Sequence, residues 1–258
     1  MANDYVLTDN IDRVGSITLD RPQQRNPLSA AMMTAITGAI RDLSSDPGIG
    51  VIVVRANGPA FSAGHDLNEL VDRTLEDERE IFRICTEMMA TIQQIPQPVI
   101  AAVQGTAVAA GCQLVATCDL AVAATNAVFG TPGVQIGLFC STPMVAVSRA
   151  IGRKRALQLL LTGTVIDAST AADWGLINEV AAPDELESRV RELAESIARA
   201  SASTLAIGKQ AFYRQIDLPQ ATAYDDMQEV MAANAMTCDA QEGMGAFIAK
   251  RKPVWQGR

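Results

Sequence analysis

Apolar residues fall into short runs of two kinds along this chain, and the kinds alternate. Val14 to Asp20 reads apolar and polar by turns, the period of a strand with one covered face. Arg21-Pro22 breaks that run, and Ser29 is placed to cap a helix over Ala30 to Leu43. Val51-Ile52-Val53-Val54 has no polar position, as expected of a strand buried on both faces. Glu78 to Gln93 carries Ile81, Phe82, Ile84, Cys85, Met88, Met89 and Ile92 at helical spacing, and Pro96 and Pro98 then introduce a strand over Val99 to Val103. Similar units follow: a helix at Gly111 to Thr117, a strand at Leu120 to Ala123, a short strand around Val128-Phe129, and helices at Thr142 to Ile151 and Arg155 to Leu161. Strand–helix–strand alternation implies parallel sheets, and the repetition predicts an α/β spiral in place of an open sheet. Past Pro183 the strand pattern stops, and Glu185 to Ala200, Thr204 to Gln215, Ala221 to Asn234 and Ala240 to Lys250 all read as helices. The expected organisation is a core over residues 1–200 and a helical module over 201–258.

Composition narrows the function classes. A chain of 258 residues, 48% hydrophobic, can bury a full core. Its net charge of −8 sets the surface field against nucleic-acid phosphates, so any anionic ligand needs a local basic patch. The longest apolar stretch, Val99 to Val103 with Ala107 to Ala110 beyond Gln104-Gly105, is interrupted and too short to span a bilayer. Met1-Ala2-Asn3-Asp4 carries no basic segment followed by an apolar one, which predicts a cytoplasmic protein without a leader. Cys85, Cys112, Cys118, Cys140 and Cys238 form no CxxC pair, and His65 is the sole histidine, so neither a zinc site nor a disulfide framework is indicated.

The candidate chemistry lies in two glycine-bearing turns. Phe61-Ser62-Ala63-Gly64-His65-Asp66-Leu67 and Gly105-Thr106-Ala107-Val108-Ala109-Ala110-Gly111-Cys112-Gln113 each follow an apolar strand, and the second opens a helix. Backbone N–H groups at two such turns can be aimed at one developing oxyanion. His65 is the only side chain there that titrates near neutrality. Cys140 and Ser141 follow Gly137 and can face a ligand chamber, but a thiol without a neighbouring base is a weak nucleophile. Asp66 is placed to cap a short helix at Leu67 to Leu70, and Asp119 stands at a helix end. Phe82, Met88, Met89 and Phe139 can line an apolar tunnel, although such residues more often belong to a core.

The order and spacing of several segments resemble the crotonase superfamily, the enoyl-CoA hydratase/isomerase family, over nearly the whole chain. The segments are Leu19-Asp20-Arg21-Pro22 with Asn26-Pro27-Leu28, Phe61 to Leu67, Pro98 to Val103, Gly105 to Asp119, Gly137, Leu161-Thr162-Gly163, Ala168 to Leu176, and Glu242-Gly243-Met244 through Lys252-Pro253. The resemblance implies a β-β-α spiral with a trimerising helical tail, often doubled to a hexamer. It implies an acyl-CoA ligand and no separate cofactor, coenzyme A being part of the substrate. It assigns an oxyanion hole to the N–H groups of His65 and Ala110, with Ala63, Gly64, Asp66, Leu67, Gly111 and Phe139 around the substrate. Arg25, Asn26, Lys250 and Lys252 are its candidates for holding coenzyme A, the tail reaching a neighbouring subunit.

The departures from that pattern bear on the reaction. Members that hydrate enoyl-CoA match glutamates at Gln113 and Gly133, one activating water and one protonating carbon. An amide does not titrate usefully and glycine has no side chain. Each such group contributes roughly 10²–10⁴-fold, so little hydration is expected, and restoring both glutamates is expected to raise it. Gln113 is expected to hydrogen-bond beside the ligand or to position a water or an acyl hydroxyl there, without proton-transfer power, and Ala109 and Ala110 to keep their N–H groups free in helical geometry. Gly64-His65-Asp66 also resembles the methylmalonyl-CoA decarboxylase branch, which needs no glutamate pair and presents a tyrosine near Cys140. Three activities stay open: decarboxylation or isomerisation through enolate stabilisation, weak hydration, and noncatalytic acyl-CoA binding.

Overall fold

In the computed structural model, which describes residues 5–257, successive turns of the chain lay one strand in a large sheet and one in a small sheet. β1 (Val6–Ile11) and β2 (Val14–Leu19) form an antiparallel hairpin that leads to α1 (Ala30–Ser45), whose first turn Ser29 caps by accepting from the Met32 N–H. β3 (Val51–Ala56) and β4 (Ala60–Ser62) precede α2 (Leu75–Gln94), and β5 (Val99–Val103) and β6 (Thr106–Val108) precede α3 (Ala110–Thr117). β7 (Leu120–Ala124) and β8 (Val128–Gly130) precede α4 (Ser141–Ile151) and α5 (Arg153–Thr162). β9 (Val165–Asp167), α6 (Ala168–Trp174) and β10 (Glu179–Ala181) complete the last turn, and α7 (Leu186–Ala198), α8 (Ala202–Gln215), α9 (Gln220–Ala235) and α10 (Cys238–Ile248) follow. The large sheet runs β1-β2-β3-β5-β7-β10, parallel from β2 onward, and the small one runs β4-β6-β8-β9. The expected spiral is the one that forms.

The central strands of the large sheet are apolar throughout because both of their faces are covered. Ile52, Val54, Val99, Ala101 and Val103 enter the main core with α1, α2 and α3. Their alternates, Val51, Val53, Ile100 and Ala102, meet Leu186, Val190 and Ala194 of α7 on the opposite face.

The C-terminal helices join this body through a buried ionic knot. Lys209 of α8 donates to the carbonyls of Ile92 and Gln97 at 2.7 and 2.8 Å and pairs with Asp119 at 2.7 Å. Asp119 in turn accepts from the Val99 N–H and the Tyr213 hydroxyl, both at 2.7 Å. Desolvating an ammonium costs several kcal/mol, which is why it is met by three acceptors. Asp119 is therefore structural, as its position at a helix end suggested. α9 buries none of its residues, and Tyr224, Met231, Phe247 and Ile248 stand exposed on α9 and α10.

Several elements have no counterpart in the sequence pattern: β1, β4, β6, β9, β10 and α6. Most are strands of three residues, too short for alternation to register. α2 begins earlier than its charge pattern indicates, at Leu75, because Thr74 and Asp77 form a reciprocal capping box. Among the described residues no helix is long and apolar enough to cross a membrane. The Met1 to Asp4 segment lies outside the described residues.

Candidate active site

β4 and β6 are parallel neighbours in the small sheet, so the turns leaving their C-terminal ends lie side by side. A Cβ built on Gly64 would sit 2.8 Å from the Ala109 Cβ and 3.3 Å from the Ala110 nitrogen. Gly64 also has φ +95, so only glycine serves there. Hydrogen bonds fix the first turn on both sides: Leu28 N–H to Gly64 O at 2.7 Å, and Ala63 N–H to Arg25 O at 3.0 Å. Glu69 accepts from the N–H of Ala30 at 2.7 Å, tying the chain just past this turn to the start of α1. The second turn is held by Ala109 N–H to Gly130 O at 2.9 Å, and Gly111 packs so closely that a Cβ there would meet Ser62 O at 2.4 Å.

Between these engaged groups, the N–H groups of His65 and Ala110 have no protein acceptor among the described residues. Ala110 opens α3, where a backbone N–H has no partner within the helix. Ala109, expected in helical geometry, is instead the residue before the helix at φ 51 and ψ −120, a region essentially reserved for glycine. That conformation costs about 1–3 kcal/mol and is imposed by the bonds on either side.

His65 and Ala110 line one cavity of about 340 Å³ with Ala63, Leu67, Phe82, Ala109, Gly133, Phe139 and Cys140. Its wall is mostly apolar, with Gln135, Ser141 and Thr142 as polar members. The His65 ring meets the Phe82 ring edge to face at 5.4 Å, and its Nδ1 lies 3.3 Å from Leu28 O. Burial holds its pKa below the usual 6.5, against a smaller opposing effect of the Leu28 bond, so the ring is neutral at pH 7. Burial likewise raises the Cys140 thiol, outweighing its hydrogen bond with the Gly133 backbone, and leaves a weak nucleophile. Met88 and Met89 belong to the core rather than to the cavity wall.

A neutral apolar chamber with two free amides at its wall suits a thioester whose carbonyl gains negative charge. Comparison with known proteins bears on the same point: the family model described as enoyl-CoA hydratase/isomerase matches residues 10–258. The chain belongs to that family. An enoyl-CoA hydratase of Mycobacterium smegmatis is 45% identical, superimposes with a TM-score of 0.95, and is covered to 98% by 97% of this chain. Human enoyl Coenzyme A hydratase domain-containing protein 3 is 42% identical with a TM-score of 0.95, over 97% of this chain and 100% of that one. Enoyl-CoA hydratase domain-containing protein 3, mitochondrial, of Mus musculus is 45% identical over 95% of this chain and 82% of its own length. The fold is that of the crotonase superfamily, and the cytoplasmic expectation finds no support in relatives named as mitochondrial.

Within this enoyl-CoA hydratase/isomerase family member, the two departures differ in kind. Gln113 lies on α3, 5% exposed, with Oε1 accepting from the Cys85 thiol at 4.0 Å, and it is not among the residues lining the cavity. Its expected place beside a ligand is thus corrected: the side chain packs inward against α2. Gly133 lies in the cavity wall, in a 3₁₀ turn over Pro132–Ile136 that Gly137 ends at φ 80. The chain then folds back, with Leu138 N–H bonding Gly133 O at 3.0 Å. A Cβ on Gly133 would sit 2.1 Å from Leu138 O and 2.8 Å from Cys140 Sγ. The expectation that a glutamate can simply be restored at position 133 fails, because backbone occupies the space.

The candidates for holding coenzyme A are divided. Arg25 is exposed, at φ 62, directly beside the first turn through its carbonyl bond to Ala63. Asn26 is fully buried, donating to Asn57 O and Ala60 O and accepting from Arg21 N–H, so it staples the loop and is withdrawn as a ligand contact. Asp66 caps the short Leu67–Glu69 turn by accepting from Asn68 N–H at 3.0 Å, and Leu67 is 48% exposed at the cavity mouth. Lys250 and Lys252 are exposed beyond α10 and do not line this chain's own cavity, while Arg251 between them pairs with Glu242. Sequence reasoning did not single out Glu69, Gln135 or Thr142; the Pro132, Gly133 and Gly137 spacing was the available signal of a tight turn in that wall.

Proposed function

We propose that this protein binds acyl-CoA thioesters and stabilises a thioester enolate through the N–H groups of His65 and Ala110, in a reaction other than double-bond hydration. The observation carrying this reading is the filled space at Gly133, where a glutamate side chain would meet Leu138 O. A second carboxylate is lacking at Gln113 as well, whose amide faces Cys85. The chemistry left to two amide donors in an apolar chamber is one in which the substrate supplies its own leaving group: loss of a carboxylate next to the thioester as carbon dioxide, the enolate then taking a proton from water. Migration of a double bond needs in addition a base that takes the α proton and returns it to the γ carbon, for which the neutral imidazole of His65 is the candidate among the lining residues. Each amide donor to such an oxyanion is worth roughly 3 kcal/mol. Noncatalytic acyl-CoA binding is the second reading, favoured by the neutral state of both His65 and Cys140 at pH 7.

Coenzyme A phosphates are assigned to Arg25 and to Lys250 and Lys252 of a neighbouring copy. The same proposal takes residues 201–258 as an assembly module that builds a trimer or a dimer of trimers, supported by the unburied α9 and the exposed Phe247 and Ile248. Calorimetric titration with acetyl-CoA and longer acyl-CoA thioesters is expected to give micromolar binding, roughly −8 kcal/mol. Absence of heat with every chain length in folded protein overturns the thioester reading. Mass-spectrometric turnover of malonyl-type and β,γ-enoyl thioesters separates enzyme from carrier. Hydration of crotonyl-CoA at about 10 s⁻¹, an ordinary enzymatic rate, overturns the exclusion of hydratase chemistry.

A further inference from the structure

The wall of the chamber changes character along its length. Ala63, His65 and Leu67 belong both to it and to a second cavity of about 550 Å³, whose wall includes Tyr5, Arg21, Gln24, Asp66 and Asn68. That neighbour is polar and carries a guanidinium, so it suits the amides and phosphates of a coenzyme arm. Residues 135–139 make a different stretch of wall: Ile136 is 64% exposed, and Leu138 and Phe139 are exposed with it. No charged residue occurs from Leu120 to Ser148, so this stretch of chain brings no charge to the rim. Next to it, Leu161 and Val165 stand exposed on either side of Gly163, whose carbonyl accepts from the Gln135 amide at 3.0 Å. The core gives the chamber no inward extension, since Cys85, Met88 and Phe129 are fully buried and none of them lines it. Large apolar side chains left in water at a cavity mouth mark a surface that an apolar ligand covers.

We propose that the acyl chain leaves the chamber over Ile136, Leu138 and Phe139, which makes this a site for long-chain acyl thioesters. This rests on the thioester reading above, because the amides of His65 and Ala110 fix where the chain begins. The coenzyme takes the polar cavity, and the acyl chain is the part of the ligand left to cover the apolar rim. Each methylene removed from water favours binding, so affinity climbs with chain length past the point where a closed chamber would stop it. With four methylenes half covered along the rim, the gain from octanoyl to dodecanoyl is about tenfold. A second copy seated on the rim would instead cap the chamber, and affinity would level off at short chains.

Calorimetry with butyryl-CoA, octanoyl-CoA and dodecanoyl-CoA, each below its micelle concentration, tests this in wild type and in the double variant Ile136→Ser with Leu138→Ser. Wild type is expected to bind dodecanoyl-CoA about tenfold more tightly than octanoyl-CoA, and butyryl-CoA is expected to displace it. The double variant is expected to bring that ratio to about threefold or less, whatever its absolute affinities. A wild-type ratio near one, as a capping second copy would give, overturns the proposal while leaving thioester binding intact. So does an unchanged ratio in the variant, or dodecanoyl-CoA that butyryl-CoA does not displace. Failure of wild type to bind any of the three overturns the thioester reading as well. If the double variant does not fold, Ile136→Ser alone is read by the same ratio.

Discussion

Gln113 and Gly133, the two positions at which the family resemblance leads one to expect glutamates, differ in what surrounds them. At Gln113 the backbone is an ordinary helix, and only the end of the side chain differs from a glutamate. At Gly133 the backbone itself has closed over the place where a side chain would stand. At the first position an ordinary helical frame carries an amide. At the second the frame itself leaves no room for a side chain, and the 3₁₀ turn with its fold-back at Leu138 makes the cavity wall from main chain.

The strongest way to break this contrast is Gly133→Glu. With Leu138 O at 2.1 Å from the new Cβ, the turn must open, and a loss of about 3 kcal/mol is expected from urea unfolding, with no gain in crotonyl-CoA hydration. A loss under about 0.5 kcal/mol would show that the frame yields easily and that the contrast is empty.

Gln113→Glu should cost less, about 1–3 kcal/mol at neutral pH, because it buries a carboxyl beside the neutral Cys85 thiol. Burial raises that carboxyl's pKa in the folded state, so the protonated form is tolerated. The penalty relative to wild type is therefore near zero at about pH 4 and grows as the pH rises toward 8. A penalty independent of pH would place the carboxylate in water, turned out of the site where Gln113 packs.

Ala109→Gly sharpens the comparison from the other side, since here an ordinary side chain sits on an extraordinary backbone. Relief of about 1–3 kcal/mol of strain, less the roughly 0.5–1 kcal/mol entropic cost of glycine, predicts a net stabilisation of about 1 kcal/mol. Destabilisation in thermal unfolding would mean that the methyl group contributes packing greater than the strain.

How much of this was legible in the sequence follows the length scale of each feature. Ser29, the apolar run from Val51 to Val54, and Pro98 before β5 act within a few residues, so their structural consequences could be read directly. β4 and β6 were not, although they position both turns, because a three-residue strand exists only by pairing with its neighbours. In the site, Gly64 and Asp66 declared themselves through turn and cap chemistry. Asn26 did not, since the carbonyls that hold it, Asn57 and Ala60, come from a distant stretch of chain. The obstruction at Gly133 was hidden for a similar reason: glycine in a sequence signals permission, and whether the added space is open or filled depends on where Leu138 returns.

The knot around Lys209 has a consequence for how the molecule comes apart. One ammonium holds a carbonyl in the last turn of α2 and another just before β5, and the carboxylate beside it holds the first N–H of that strand. Helix α8 is thereby fastened to the start of β5, the strand that leads through β6 to the second turn of the site. The Val99 amide and the amides of α8 should exchange with deuterium at a common, slow rate set by global opening. In a single protomer fraying belongs to α9, none of whose residues is fully buried there.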